Sequence, residues 1–188
     1  LSFAELEKAL SKLQVHEEKG IVTAFDERFL IMPVKFMHSI EDLLVRTFGP
    51  LAAANLLYEM GKEAGKHSIW PLPASAYGIK SARDFHQTSQ KLVALCGWGT
   101  FSNVQFDHGK LMARSQGTNS IFVRKRTGRT PVCHYIRGLE AGAFETASGR
   151  PCESIEVMCE GKGNANCEIF TGKPFEIARL AENLEDRT

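Results

Sequence analysis

The chain has 188 residues, with 23 lysine and arginine against 22 aspartate and glutamate side chains and a formal net charge of +1. That length buries a sizeable core in one domain without disulfides or metals. The balanced charge excludes an electrostatic footprint for nucleic acid and a basic face for anionic membrane. No apolar run is long enough to cross a bilayer, and the first residues lack the charged and apolar regions of a secretory leader, so a cytoplasmic protein is expected. The start at Leu1 points to a piece of something longer. Five cysteines, an odd count, favour thiols or a metal over a disulfide framework.

In chain order, residues 2–15 predict a helix. Phe3, Leu6, Leu10 and Leu13 share one face, and Ser2 with Glu5 forms a capping box. GIVTAFDERFLIMPV predicts two short strands around Asp26 and Glu27, with Pro33 at a strand end. The stretch from His38 to Ile69 is helical on either side of a Gly49–Pro50 break. Ile40, Leu43, Leu44 and Phe48 form one stripe, and Leu51, Ala54, Leu57 and Met60 another, all expected in the core. Gly61 and Gly65, four apart, allow another element to approach that face closely.

WPLPASAYG is a loop, and residues 81–97 predict a helix carrying Phe85, Leu92 and Leu95 and ending at Gly97. From Trp98 the period becomes two. TFSNVQFD, GKLMARSQ and NSIFVRK predict three strands, with a hairpin turn at Asp107–His108–Gly109. CHYIRGLEAGAFETASG is a helix with Ile136, Leu139, Ala143 and Phe144 on one face and Gly138 and Gly142 on another. Gly149-Arg150-Pro151 stops it. ESIEVMC and CEIFTG are two strands joined by CEGKGNANC, and EIARLAENLEDR is a closing helix. The expected class is α+β, with N-terminal helices packed on an antiparallel sheet.

CEGKGNANC sets Cys159 and Cys167 nearly opposite each other at a hairpin neck, with glycines and asparagines that permit positive φ. Half of a tetrahedral zinc site, a reduced thiol pair and a disulfide all fit this spacing. The candidates to complete a metal site are Cys133, Cys152, Glu156, His134 and His108. Strand parity puts Glu156 and Cys159 on opposite faces, so both can bind one ion only across a bulge or bend. A set of Cys133, Cys152, Cys159 and Cys167 satisfies the pattern at least as well.

The run GLEAGAFETASGRPCESIEVMCEGKGNANCEIF resembles the 4-vinyl reductase domain family. The upstream part, EEKGIVTAFDERFLIMPVKFM through LLYEMGKEAGKHS, is similar to the sensory region of the phenol- and xylene-responsive bacterial activators. The resemblance implies a ligand-binding α+β fold shared with nitric-oxide sensors and TRAPP vesicle-tethering subunits, often dimeric through its N-terminal helices. It also implies a structural zinc on Cys133, Glu156, Cys159 and Cys167, with Lys162, Arg137 and Arg150 near enough in sequence to offset the charge. The expected organisation is one sensory domain over 1–188: a helical dimerisation part (1–95), a part of the 4-vinyl reductase type with the zinc (98–172) and a C-terminal helix (174–188).

On this resemblance, an internal cavity binds a small hydrophobic or aromatic molecule and signals through a homodimer or an attached output domain. The domain itself contacts neither nucleic acid nor membrane. Phe85, His86, Trp98, Phe101, Phe106, Met112, Phe122 and Tyr135 are the candidate lining, although for each taken singly ordinary core packing is the better reading. Two other readings follow from the same resemblance. One is a reductase of, or accessory to, a tetrapyrrole vinyl group, for which no nucleotide or flavin motif is present. The other is a tethering scaffold that packs the Gly61 and Gly65 face on a partner.

Overall fold

The structure, a computed structural model, describes residues 13–24, 27–69, 81, 83–84, 88, 90, 93–94, 96–124, 128 and 130–185. Strands β1 (Gln14–His16), β2 (Ile21–Ala24) and β3 (Glu27–Phe29) form a three-stranded antiparallel sheet in that order. Most of the helix predicted over 2–15 lies outside the described residues, and its end is strand instead. Val15 sits across from Val22, and Gly20, at a φ of 60°, closes the turn between β1 and β2. A β-branched cross-strand pair there outweighs a weak helical period.

Helix α1 (Val34–Phe48) starts just after Pro33 and ends at Gly49, whose φ of 81° breaks the run; Pro50 opens helix α2 (Pro50–Ala64). A π turn over Gly65–Ile69 continues α2. The core stripe that periodicity predicts on this helix pair lies largely on the surface. Leu43, Phe48, Leu51 and Met60 are exposed, and Leu57 alone of the eight is fully buried. The reason is rotational: α2 turns Ala53, Leu57, Tyr58 and Gly61 inward, towards helix α3 (His134–Ser148).

The α2–α3 crossing is made by glycines on both sides. A Cβ on Gly61 or Gly65 would strike the carbonyls of Tyr135 or Leu139, and one on Gly138 or Gly142 the carbonyls of Tyr58 or Lys62. Only hydrogen in place of a side chain permits main chain to meet main chain this closely. The Gly61–Gly65 face is thus filled from within the chain, which corrects its assignment to an external partner. Polar groups frame the crossing. The Tyr58 hydroxyl donates to the Glu153 carboxylate, Lys62 Nζ bonds Glu153 Oε1 at 2.7 Å, and the Arg137 guanidinium lies 4.6 Å over the Tyr58 ring.

A helical stretch follows, represented by Arg83, Asp84, Thr88, Gln90, Val93 and Ala94. Ser81 caps it through the Asp84 N–H at 3.1 Å, and Gly97, at a φ of 78°, terminates it. Strands β4 (Thr100–Asp107), β5 (Met112–Thr118), β6 (Glu153–Met158) and β7 (Cys167–Gly172) form an antiparallel sheet in the order β4-β5-β7-β6, and helix α4 (Pro174–Glu185) closes the chain. Ala113, Ser115 and Gly117 of β5 are buried while their neighbours are not, the alternation of a strand with one covered face. Helix α3 packs between α2 and this sheet.

The third strand predicted at NSIFVRK is absent among its described residues, 119–124, which form turns. Asn119 takes a φ of 57°, and its N–H goes to Glu160 Oε2 at 2.7 Å. The chain then runs to α1 instead of along β5. His38 Nε2 meets the Ile121 carbonyl at 2.7 Å, and Arg124 bonds both oxygens of Asp42 at 2.8 and 2.9 Å. Among the described residues no helix is long and apolar enough to cross a membrane.

Candidate metal centre and a carboxylate in the middle of α3

Four segments converge at the base of α3. Cys133 precedes the helix and its carbonyl accepts the Arg137 N–H that begins it. Glu156 comes from β6, Cys159 from the residue after β6, and Cys167 opens β7. One ligand atom from each of the four residues lies within 4.8 Å of the others, and all four residues are buried. The parity obstacle is removed by a register shift between Glu156 and Met158, which brings Glu156 and Cys159 to the same side.

The cysteines are free thiols. The Sγ atoms of Cys133 and Cys167 are 3.6 Å apart, far beyond the bonded separation of about 2.05 Å in a disulfide. That distance is close to the roughly 3.8 Å that two sulfurs adopt on tetrahedral zinc with bonds of about 2.3 Å. Glu156 Oε2 accepts the Cys133 N–H at 3.1 Å, while the buried Oε1 has no hydrogen-bond partner among the described residues. A buried carboxylate oxygen left this way is costly unless something positive occupies the space before it. The donor set therefore fits a divalent, thiophilic ion.

Charge on the sulfurs is met by main-chain N–H groups. Glu160 N–H donates to Cys167 Sγ at 3.4 Å, and the Val132 backbone acts on Cys159. Arg137 is engaged with Tyr58 and the Ser154 carbonyl, and Lys162 and Arg150 are exposed, so none of the three cations expected from sequence is bonded to the cluster. The Cys133 and Cys167 thiols, turned towards Cys159, hold it far below the ordinary thiol range, while burial and that thiolate push Glu156 up to about 8. Metal binding here displaces protons.

The loop itself is built around the cluster. Asn164 Oδ1 accepts the Cys159 N–H at 3.0 Å, Gly163 takes a φ of 90°, and a Cβ on Gly161 would crowd Val132 and Cys159 Sγ. The other ligand candidates lie elsewhere. Cys152 Sγ is 3.6 Å from Ser148 Oγ and packs with Ala113 and Phe144 in a separate cluster. His134, pushed down to about 4 by burial and Arg137, lies outside the four-residue group, and His108 is exposed against the Phe106 ring.

Of the eight candidate lining residues, Phe85 and His86 lie outside the described residues. Trp98, Phe122 and Tyr135 form one aromatic group, with Trp98 stacked on Tyr135 at 5.2 Å. Phe101 joins the same core and borders a narrow cavity of about 10 Å³, together with Gln90, Val93, Ile136, Leu139, Glu140 and Ala143. Phe106 sits in the other cluster, against Phe144. Met112, by strand parity, faces away from α3.

Sequence reasoning missed Glu140. It stands one turn from both Ile136 and Phe144, an acid in the middle of an apolar stripe, and that interruption is the legible signal. Its Oε2 accepts from the Ser115 hydroxyl at 3.1 Å and the Thr171 hydroxyl at 3.2 Å. Burial nevertheless pushes it up to about 7. A carboxyl raised in the folded state stabilises the fold while protonated, and that contribution fades as pH climbs from the ordinary value towards 7. Between pH 5 and pH 8 the protein is expected to lose about 2–3 kcal/mol relative to Glu140→Gln. Urea unfolding of both at the two pH values checks this, and parallel behaviour would refute it.

The helix pair, the antiparallel sheet and α3 between them constitute an α+β fold. The family described as "Activator of aromatic catabolism" matches residues 9–109, more than half of the 188, and the chain belongs to it; the 4-vinyl reductase domain matches residues 118–173. Among solved structures, the phenol-responsive sensory domain of the transcription activator PoxR, determined with phenol, is similar over 96% of this chain and 95% of its own. Its TM-score is 0.81 at 17% identity. A trafficking protein particle complex subunit 3 from Naegleria fowleri, covalently bound to palmitic acid, has a TM-score of 0.58 at 16% identity over 74% and 91%. An H-NOX protein from S. oneidensis has 0.52 at 10% over 89% and 87%. No curated protein matches the sequence.

Proposed function

We propose that this chain is a small-molecule-binding sensory domain. It takes a hydrophobic or aromatic molecule into the interior between α3, β4 and the side chains of Gln90 and Val93. Binding is passed on to a homodimer partner or an attached output domain. The observation that carries this reading is membership of a family described by activation of aromatic catabolism. The whole-length likeness in fold to a sensory domain solved with phenol supports it. Residues 1–188 act as one unit, with dimerisation in 1–95, the 4-vinyl reductase type of part in 98–172 and the closing helix in 174–188.

Within that unit Cys133, Glu156, Cys159 and Cys167 hold one zinc. Four protein ligands close the coordination and leave no position for water, so the metal is structural. The unpartnered Glu156 Oε1 supports this assignment. Dimerisation is supported by exposed apolar side chains on and before the helix pair, among them Leu30, Ile31, Phe36, Phe48 and Leu51. The even charge supports a cytoplasmic domain that leaves nucleic-acid contact to other parts of the protein.

Native mass spectrometry of protein purified from its host tests the reading in one spectrum. The expected result is twice the chain mass, two zinc ions and a bound organic adduct. A ligand-free protein whose thermal melt is indifferent to a panel of aromatic compounds would count against it, since a ligand that prefers the native state must raise stability.

A further inference from the structure

Glu140 is an expensive residue for the place it occupies. It lies among Ile136, Leu139 and Ala143 on α3 and borders the cavity those residues share with Phe101, Val93 and Gln90. Among the described residues no lysine, arginine or histidine forms an ion pair with it, and the donors it meets there, the Ser115 and Thr171 hydroxyls, are neutral. Those donors are held in place. Gln90 Nε2 donates to Ser115 Oγ at 3.1 Å, which leaves the Ser115 proton for Glu140. The Thr171 hydroxyl is fixed by Ser154 Oγ at 2.6 Å.

Both hydroxyls meet the same oxygen, Oε2, and Oε1 takes no hydrogen bond among the described residues. A glutamine would accept these two bonds without the cost of a half-buried acid. A carboxylate there gains over an amide only when something else uses its charge. The cavity, at about 10 Å³, now has room for about one water molecule. A ring therefore enters only if side chains that line the cavity, such as Gln90, Val93 and Leu139, move aside.

We propose that Glu140 is the polar anchor of the ligand: it accepts a hydrogen bond from a single O–H or N–H donor on an otherwise apolar, neutral or cationic molecule, and it rejects anions. This rests on the sensory reading above and specifies its ligand chemistry. The raised carboxyl agrees with a site awaiting a donor, because a donor or cation beside it favours the ionised form. An anionic ring would place two negative charges together at low dielectric.

Calorimetric titration and thermal melts with toluene, phenol, benzylamine and benzoate, on the protein and on Glu140→Gln and Glu140→Leu, provide the test. The expected order on the unaltered protein is phenol and benzylamine above toluene, with benzoate inert. Glu140→Gln should weaken benzylamine by about tenfold or more, the scale of a hydrogen bond to a charged group. Glu140→Leu, which keeps the cavity apolar, should bind toluene and lose the preference for donors. Phenol and benzylamine binding both variants as tightly as the unaltered protein would overturn the anchor and leave the sensory reading standing. So would benzoate matching phenol on the unaltered protein. Failure of every probe, toluene included, would overturn both.

Discussion

Cys159→Ser is expected to yield protein without stoichiometric zinc and with a melting temperature lower by about 10 °C or more. The substitution removes one of the three sulfurs of the cluster, whose ligand atoms all lie within 4.8 Å of one another. Serine fills nearly the same space, so the loss is of coordination and not of packing. Without metal, α3, β6, the loop and β7 lose their common tie, and the buried Glu156 Oε1 has nothing to face. Structural zinc in small domains supplies most of the folding free energy. This chain has its own core, so a cost of about 3–5 kcal/mol is the reasonable scale, and a chain of this size loses about 2–4 °C per kcal/mol. Glu156→Gln should lower zinc content in the same direction, and Cys152→Ser, whose sulfur lies in the other core cluster, should leave it unchanged. Elemental analysis beside differential scanning calorimetry decides the matter. A zinc-free Cys159→Ser with an unchanged melt would show that the metal does not hold the fold.

Gly142→Ala should be the second severe change, costing about 3 kcal/mol or more, at or beyond the usual range for overpacking. Its new methyl group meets the Lys62 carbonyl and, at 3.0 Å, the Lys66 N–H, main chain of α2 and of the π turn that continues it. A side chain in the way can rotate aside, but a helix backbone can only withdraw. Withdrawal also lengthens the Lys62–Glu153 bond and the Tyr58–Glu153 contact that flank the crossing. Gly109→Ala in the β4–β5 turn, where the nearest atom to the added carbon is Asp107 Oδ1 at 3.4 Å, is the matched control and should be nearly neutral. Equal melts for the two variants would mean that α2 and α3 do not cross as described.

Elements that local chemistry determines were legible in the sequence. The Gly49–Pro50 break, the strands around CEGKGNANC and the helix ended by Gly149 each follow from residues that punctuate the backbone. The close approach of α2 and α3 was legible from glycines four apart, although not that the two pairs face each other. The segment 119–124 was not, because its alternation suits a strand and partners distant in sequence, Glu160 for Asn119, His38 for Ile121 and Asp42 for Arg124, divert it. Long-range capture of this kind leaves no mark in a local pattern. The helix-pair stripe misled for a related reason: periodicity reports that a face is apolar, not whether this chain or another covers it. Residue spacing left Glu156 and Cys152 equal as ligands, and the family resemblance favoured Glu156. The register shift in β6 is the geometric reason that preference is consistent with one site.

That shift has a consequence for how the sheet ends. Among the described residues β6 is an outer strand, hydrogen-bonded to β7 on one side. Outer strands are where sheets recruit strands from other molecules and where pairing slips by one residue. A slip in β6 would carry Glu156 away from the three sulfurs, so a metal bound there penalises every register but one. The irregularity also twists the rim away from the flat geometry that another strand needs. With a metal at that site, its loss would therefore be felt as aggregation through a freed sheet edge as well as lower stability, and a one-residue deletion in β6 would cause the same with every cysteine still in the chain.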